Sequence, residues 1–128
     1  MDSPSTFKKE ERISSKKEIG FLFENGSSFT SYPFRIIFCT KETSESPRFS
    51  ILVSVSKRKF KRAVKRNKVK RLLRESYRLN KFILQGIEKE KCPGLYIGFL
   101  FIGHDMPDYK QTEAAMIKAL SSLRQMDL

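Results

Sequence analysis

The feature that most constrains this chain is a run of positive charge, KRKFKRAVKRNKVKRLLRESYR, from Lys57 to Arg78. Twelve of its 22 residues are Lys or Arg and Glu75 is its only acid, so the run carries a net charge of +11. The whole chain carries +12, which leaves the other residues close to neutral. Any fold of this sequence must therefore present one strongly cationic surface, and charge concentrated in this way tends to mark a binding site for a polyanion.

The periodicity of the run predicts an amphipathic helix that continues to about Leu84. At about 100° per residue, an apolar arc and a basic arc lie on opposite sides of this helix. The apolar arc comprises Val69, Leu72, Leu73, Tyr77, Leu79 and Ile83, and the basic arc comprises Arg66, Asn67, Lys70, Arg71, Arg74 and Arg78.

The basic arc is more than a solvated helix face. Like charges at i, i+4 spacing destabilise a helix by about 0.2–0.5 kcal/mol per pair, and solvated faces usually mix the two signs. A membrane-surface helix would need a large apolar face rich in Trp or Phe, whereas the Leu and Val side of this helix is needed for a core. Nucleic acid is the better partner, with Arg and Lys for phosphates and Asn67 for directional hydrogen bonds.

The remaining sequence predicts a small single-domain α+β fold over residues 12–128, after a disordered polar tail of residues 1–11. Ser15 and Glu18 form the capping-box pattern of a first helix, and Gly26 is placed to end it. Pro33 separates a short strand from a longer one at about 34–40, and a polar loop, KETSESP, follows. LYIGFLFIG has the composition of a buried strand, and Asp108 with Gln111 predicts the start of a last helix.

One strand, RFSILVSVS, alternates between a core side and a shallow side of mostly small residues. Its core side comprises Phe49, Ile51, Val53 and Val55, and its shallow side comprises Ser50, Leu52, Ser54 and Ser56. An unpaired strand of RNA could lie across the shallow side, with Ile19 and Phe23 of the first helix beside it. By composition alone, each of these two residues is more often part of a core than a ligand contact.

The sequence contains little that resembles a catalytic centre. His104 is the only histidine and could act as a base with Asp105 or Asp108, although a lone histidine in a polar loop usually has no catalytic role. No metal-ligand spacing, nucleophile elbow or phosphate-binding glycine loop is present. Cys39 and Cys92 are predicted to be reduced thiols. With no apolar stretch of about 20 residues and no secretory signal, we expect a soluble cytoplasmic protein without a membrane partner.

The basic run closely resembles the signature of the protein subunit of bacterial ribonuclease P. The matching elements are Ser56–Arg58 at the end of a strand, Ala63–Val64, Arg66–Lys68, Lys70–Arg71 and Arg74–Arg78. The resemblance extends more weakly over residues 12–125. It implies an αβββαβα order, a mixed four-stranded sheet and a left-handed β-α-β crossover, in the ribosomal protein S5 domain 2-like class of folds. Such a crossover is an exception to the usual right-handed rule.

The resemblance also implies a function. In the family, a large catalytic RNA hydrolyses the phosphodiester at the 5′ end of mature tRNA with Mg²⁺ held mainly by the RNA, and the protein acts on no small-molecule substrate. The protein binds this RNA and the 5′ leader of precursor tRNA, holds no metal of its own and has no catalytic residue. The residues implied for the catalytic RNA are Lys57, Arg58, Lys61, Arg62, Lys65, Arg66, Asn67, Lys68, Lys70, Arg71 and Arg74. Those implied for the leader cleft are Ile19, Phe23, Arg35, Ile37, Leu52, Ser54, Ser56, Lys70 and Arg74.

The chain departs from the family pattern in three ways. Lys68 replaces the second Arg of an Arg-Asn-Arg motif, which keeps the charge but loses a bidentate fork. KRKFKRAV is about one residue longer than the common spacing and lacks its glycine. Ile19 and Ile37 stand where the family usually has aromatic residues, so a cleft here would stack less. Two alternatives remain: a non-enzymatic RNA-binding protein of the ribosome or its assembly, and a protein-only nuclease built around His104.

Overall fold

The computed structural model describes residues 7, 9–42, 47–126 and 128, so part of the predicted polar loop (43–46) lies outside the described residues. Within them the helices and strands follow the predicted αβββαβα order. The helices are α1 (Lys16–Asn25), α2 (Ala63–Asn80) and α3 (Tyr109–Gln125); the strands are β1 (Ser27–Ser31), β2 (Phe34–Lys41), β3 (Phe49–Ser54) and β4 (Gly94–Phe101); and short 3-10 helices span Lys9–Glu11 and Lys81–Gly86.

The strands form one mixed sheet in the order β1-β2-β4-β3. The β1–β2 and β2–β4 pairs are antiparallel, and β3 pairs with β4 in parallel. Because β3 and β4 are parallel neighbours, α2 is the crossover helix between them. The left hand of this crossover, implied by the family resemblance, stays a prediction. Beyond β3, Arg12 forms an isolated bridge with Ile51, and the backbone N–H of Ile13 donates to the Ile51 carbonyl at 2.8 Å.

The two faces of the sheet are covered unequally. Toward α2 and α3, alternate residues of β2, β3 and β4 join both helices in the main core, which includes the fully buried Leu73, Tyr77 and Leu120. The predicted core side of RFSILVSVS belongs to this cluster. On the opposite face, α1 packs against the sheet, and Leu22 forms a second, smaller cluster with Ile13 and Ile37. The sheet is therefore closed on one side and only partly covered on the other.

Helix α2 ends earlier and buries a slightly different arc than the sequence predicts. Its buried residues are Val69, Leu73, Ser76, Tyr77 and Asn80, whereas Leu79, predicted to be apolar core, is 42% exposed. Asn80 leaves the helical conformation at φ −117°, and its side-chain amide donates to the Ser76 carbonyl at 2.8 Å and to Glu113 at 3.1 Å. The helix predicted to continue to about Leu84 is therefore an α-helix only to Asn80, and a 3-10 helix continues it over Lys81–Gly86.

The predicted N-caps of α1 and α3 are present, and the capping box is complete in α3 only. The Ser15 hydroxyl accepts from the Glu18 backbone N–H at 3.4 Å, and Asp108 forms a complete capping box with Gln111. Gly26 ends α1 in an extended rather than a left-handed conformation. It is needed for a different reason: a Cβ here would lie 2.7 Å from Ile37 Cγ1, so glycine lets the end of α1 approach β2 closely.

The described residues at the start of the chain pack against the domain. Phe7 packs edge-on against Tyr77 with ring centroids 5.3 Å apart, and Lys81 forms an ion pair with Glu11 at 3.0 Å. These described residues of the predicted tail therefore contact the domain, while residues 1–6 and 8 lie outside the described residues. None of the described helices is long and apolar enough to cross a membrane. The cytoplasmic location stays a prediction.

Arg48 ties the start of β3 to the turn before β4. Its guanidinium donates to the backbone carbonyls of Ile87 at 2.6 Å, Cys92 at 2.9 Å and Pro93 at 3.3 Å. It also lies 4.8 Å from the ring centroid of Phe49. Ile87 and Cys92 are buried, so water would not easily replace the lost donors.

Replacing Arg48 by alanine is expected to lower the free energy of unfolding by about 2–3 kcal/mol, because three carbonyls lose a charged donor. Equilibrium unfolding in urea measures this change. The free energy of unfolding of Arg48→Lys should lie between those of Arg48→Ala and the parent chain, since one ammonium cannot reproduce the guanidinium fork. Lys89→Ala, at an exposed turn residue, is the control and should change stability by less than about 0.5 kcal/mol. Equal stability of Arg48→Ala and the control would show that these hydrogen bonds contribute nothing net.

Candidate nucleic-acid interface

The polar side of α2 is a cationic surface with almost no internal neutralisation. Most of the cations predicted to contact RNA are exposed, and Arg66, Lys70 and Arg74 are half-buried. Glu75, the only acid in the helix, is paired with Arg78, whose Nη2 lies 2.5 Å from its carboxylate. Among the described residues, no carboxylate forms an ion pair with Lys70, Arg71 or Arg74. The exposed members of the predicted set are Lys57, Arg58, Lys61, Arg62, Lys65, Asn67, Lys68 and Arg71.

The electrostatics of the helix follow from these pairings. The hydrogen bond from Arg78 lowers the pKa of Glu75 below its usual range, so this carboxylate stays ionised and engaged. Burial, followed by the nearby charge of Arg12, lowers the pKa of Arg74. An arginine with a lowered pKa is still fully protonated at neutral pH. Arg74 therefore remains a cation beside another cation.

The loop that leads into α2 is held by Arg66. The Arg66 guanidinium folds back from the helix and donates from Nη1 to the carbonyls of Phe60 and Lys61, both at 2.7 Å. Lys59 donates to the Ile102 carbonyl at 3.2 Å, and Phe60 stacks on Phe101 with centroids 5.6 Å apart. The longer spacing of KRKFKRAV is thus accommodated by an anchored loop. Part of the donor capacity of Arg66 is used inside the protein, and its contact with RNA stays a prediction.

Beside α2, the first described residues close a groove of about 590 Å³. One wall consists of α2 residues and the other of Phe7 and Arg12. Sequence reasoning missed both residues of the second wall, because neither belongs to a periodic element and their approach to α2 depends on tertiary contacts. The α2 residues that line the groove are Val64, Asn67, Arg71, Arg74, Glu75 and Arg78.

The opposite sheet face is divided by α1 into two flanks. Strand register places Arg35, Leu100 and Ser54 in one row across β2, β4 and β3, and the next row contains Ile37, Gly98 and Leu52. Leu22 of α1 lies over this second row, because a Cβ at Gly98 would lie 3.3 Å from Leu22 Cδ2 and 2.8 Å from Ile37 Cγ2. The row with Arg35, Leu100 and Ser54 lies outside the row under Leu22; in it Arg35 is exposed, and Leu100 and Ser54 are half-buried. We call this surface the open flank of α1.

The predicted cleft residues separate into two groups. Phe23 is 48% exposed, Arg35 is exposed and donates to the Ser28 hydroxyl at 3.1 Å, and Ser54 is half-buried, while Ser56 is exposed just beyond β3. Ile37 is only 8% exposed and belongs to the core under α1, so its predicted place on an open cleft surface was wrong.

Ile19 and Leu52 are half-buried and pack on the edge of this same core. An aliphatic residue at position 37 fits this burial, since the close approach of α1 at Gly26 leaves little room there.

The second flank of α1 carries an aromatic pair that the predicted cleft did not include. Phe21 is 43% exposed and lies edge-on to Tyr96 with centroids 6.0 Å apart. The Lys41 ammonium lies 4.8 Å from the Tyr96 ring and donates to the Ser50 hydroxyl at 2.6 Å. Burial lowers the pKa of Lys41.

The loop after β4 holds the residues considered for protein catalysis. His104 and Asp105 are exposed, and the Asp108 carboxylate accepts from the Gln111 backbone N–H at 2.7 Å as the cap of α3. Among the described residues, no three His, Cys, Asp or Glu side chains are grouped as metal ligands would be. These side chains show no arrangement of nucleophile, base and orienting group.

A small α+β domain of this kind, with a partly open sheet and a long helix whose cationic side contains a single acid already paired with Arg78, is typical of an RNA-binding protein. The sequence model of the Ribonuclease P family matches residues 7–124, and the chain belongs to this family. The recognition of the family from the basic run is thereby confirmed.

Two relatives and two solved structures show how closely the chain follows the family. The ribonuclease P protein component of Porphyromonas gingivalis is 42% identical over 122 residues, which cover 94% of this chain and 89% of the relative. That of Petrotoga mobilis is 33% identical over 118 residues, covering 91% of this chain and 97% of the relative. Both are similar to this chain over nearly its whole length.

The solved structure of the Staphylococcus aureus RNase P protein matches with a TM-score of 0.70 and 21% identity, over 94% of this chain and 100% of that one. The RNase P protein from Thermotoga maritima gives a TM-score of 0.68 at 25% identity, over 88% and 96%. These matches confirm the small α+β fold with a four-stranded mixed sheet and three helices. The ribosomal alternative is not supported by the family match or by these relatives.

Proposed function

We propose that the chain binds the catalytic RNA of ribonuclease P through α2 and holds the 5′ leader of precursor tRNA on the open flank of α1. In this way it assists endonucleolytic removal of the leader to give the mature tRNA 5′ end. The observation that carries the proposal is the cationic side of α2, where Lys70, Arg71 and Arg74 have no carboxylate partner among the described residues. Such a surface gains most of its binding energy from phosphates.

The chemistry belongs to the RNA partner in this proposal, and the isolated chain is inactive. Phosphodiester hydrolysis depends above all on metal ions and on positioning. The described acids do not fit a metal centre, since no three metal-ligating side chains are grouped among them and several already act as caps, ion-pair partners or hydrogen-bond acceptors. We therefore assign Mg²⁺ mainly to the RNA. The protein contributes charge, which reduces the repulsion between two RNA molecules brought together.

The open flank of α1 supports the leader assignment. Arg35 supplies a cation, the exposed ring of Phe23 supplies a stacking or apolar surface, and Ser54 and Ser56 add hydroxyls along the strand that leads to α2. Arg74 lies near Arg12, and Arg12 forms a β-bridge with Ile51 of the edge strand β3, so Arg74 lies on the side of the domain where β3 ends the sheet. Single-stranded RNA is bound by this combination of cations and ring faces.

Reconstitution tests the proposal. The purified chain is mixed with the ribonuclease P RNA from the same cell and a 5′-labelled tRNA precursor at several Mg²⁺ concentrations. We expect no cleavage by the chain alone. At low Mg²⁺, where the RNA alone loses its activity, adding the chain should restore cleavage. His104→Ala should reconstitute as well as the parent chain. RNA activity unchanged by the protein at every Mg²⁺ concentration would refute the proposal, and cleavage by RNA-free protein that His104→Ala abolishes would support the protein-only alternative.

A further inference from the structure

We propose that Phe7 and Arg12 complete a phosphate-binding groove for the catalytic RNA, in which Arg12 is a phosphate ligand opposite Arg71 and Arg74. The inference rests on the proposed function and extends it from α2 to the start of the chain. In the sequence this segment adjoins or belongs to a predicted polar tail. In the structure it forms one wall of a cationic groove.

The wall is fixed in place by several independent contacts. The Phe7 ring packs on buried Tyr77, and the Arg12 guanidinium carbon lies 5.2 Å from the centroid of the same Phe7 ring. Glu11 accepts from the Lys81 ammonium at 3.0 Å and 3.3 Å, and Ile13 hydrogen-bonds to β3. The position of Arg12 is therefore set by its contact with Phe7 and by the contacts of its neighbours Glu11 and Ile13.

The groove concentrates positive charge that the described protein does not neutralise. Arg12, Arg71 and Arg74 all line it, and no described carboxylate forms an ion pair with any of them. Glu75 also lines it, but both of its oxygens accept from Arg78, at 2.5 Å and 3.1 Å. The acid in the groove is thus already occupied, and its presence does not cancel the charge of the three arginines.

Repulsion between the neighbouring Arg12 and Arg74 destabilises the protein when no RNA is bound. Burial, followed by the charge of Arg12, lowers the pKa of Arg74, as expected for two guanidinium groups that lie close enough to repel each other. Phe7 and Tyr77 hold this arrangement in place against the repulsion. A bound phosphate would convert the repulsion into attraction, because guanidinium forks bind phosphate oxygens with paired hydrogen bonds.

The composition of the groove favours an RNA backbone over other anions. Asn67 adds a neutral donor and acceptor, and Phe7 and Val64 add apolar surface that a ribose can contact. Lys70 belongs to the same basic arc of α2 but does not line the groove, so a ligand that contacts both is an extended polyanion. Because Asn67 and Arg71 are also predicted contacts of the catalytic RNA, we assign the groove to that RNA rather than to the leader.

Removing the Arg12 charge tests the proposal directly. Binding of Arg12→Gln to the catalytic RNA is measured over a series of KCl concentrations and compared with the parent chain. We expect binding about tenfold weaker near 0.15 M salt, and a slope of log K against log salt smaller by roughly 0.7–0.9, as for the loss of one phosphate contact. Lys118→Gln, which removes one charge from the exposed side of α3, should leave the slope unchanged.

Two further measurements separate binding from folding. The melting temperature of RNA-free Arg12→Gln should stay close to that of the parent chain, because loss of the Phe7 contact is offset by relief of the repulsion with Arg74. Arg12→Lys should keep the salt slope while losing part of the affinity, since it keeps the charge without the fork. Phe7→Leu should weaken RNA binding less than Arg12→Gln, because it loosens Arg12 without removing its charge.

Several outcomes would overturn the inference while leaving the proposed function intact. An unchanged slope and affinity for Arg12→Gln would show that RNA does not reach the groove. A loss of precursor binding by the holoenzyme with normal affinity for the catalytic RNA would assign the groove to the leader instead. If Arg12→Gln lowered the melting temperature and its loss of RNA affinity did not depend on salt, Arg12 would have a structural role only. The proposed function itself fails separately, when the parent chain does not support cleavage in the reconstitution.

Discussion

Changing Arg71 and Arg74 together to glutamate is expected to weaken binding of the catalytic RNA at least a hundredfold near 0.15 M salt. Each substitution removes a cation that faces phosphate and adds an anion in its place. The slope of log K against log salt should fall by roughly 1.4–1.8, which is the loss of two phosphate contacts. Filter binding or fluorescence titration at four or more salt concentrations measures both quantities.

This loss should occur without unfolding of the protein. Neither residue is in the core, and Arg74→Glu replaces the repulsion between Arg74 and Arg12 with an attraction. The melting temperature is therefore expected to stay within a few degrees of that of the parent chain. The matched control is Lys89→Glu with Lys118→Glu, which makes the same change in net charge at exposed positions outside α2. At a Debye length of about 8 Å these distant charges are largely screened. An equal loss in the control would show that net charge, and not this surface, attracts the RNA.

Most of the fold could be predicted because its signals are local. The capping residues Ser15 and Asp108, the alternation of RFSILVSVS and the 3.6-residue period of the basic run each depend on neighbours in the sequence. These signals gave the element order, and the structure has the same order. The cationic side of α2 was predictable for the same reason, since it follows from composition and period alone.

The errors lie where tertiary packing selects between residues that local rules treat alike. Leu79 fits the apolar arc of α2, yet Ser76 and Asn80 are buried instead because α3 approaches at that side, where Glu113 accepts from Asn80. Ile37 stands on the side of β2 that the strand period assigns to the cleft. It is buried nevertheless, because α1 crosses that row of the sheet with Leu22 directly above it. The period of a strand identifies its two faces but does not say where a helix covers one.

The groove beside α2 could not be predicted for a different reason. Its second wall depends on Phe7 reaching Tyr77, a contact between residues 70 positions apart in the sequence. Short polar segments with one aromatic residue are common, and nothing in their spacing indicates a docking site. Likewise, the bonds from Arg66 to the loop before α2 depend on the conformation of an insertion that the family pattern does not contain.

Leu22→Ala is expected to lower the free energy of unfolding by about 3 kcal/mol, because Leu22 is fully buried and is the central contact between α1 and the sheet. Unfolding in urea, or a fall in melting temperature of roughly 10 °C, measures the effect. A domain of this size has a total stability of about 5–15 kcal/mol, so the variant should still fold at low temperature. Its main core, which contains α2, is not altered directly.

Phe23→Ala on the same helix is the matched comparison, because Phe23 is half exposed and its loss should change stability by less than about 1 kcal/mol. Both variants should bind the catalytic RNA normally, since α2 is intact. Each should reduce the preference of the holoenzyme for precursor over mature tRNA: Leu22→Ala by loosening α1, and Phe23→Ala by removing a ring from the leader surface. If Phe23→Ala weakened binding of precursor and mature tRNA equally, the open flank of α1 would not be the leader site. If Leu22→Ala weakened binding of the catalytic RNA as much as binding of the precursor, α1 and α2 would act as one surface rather than two.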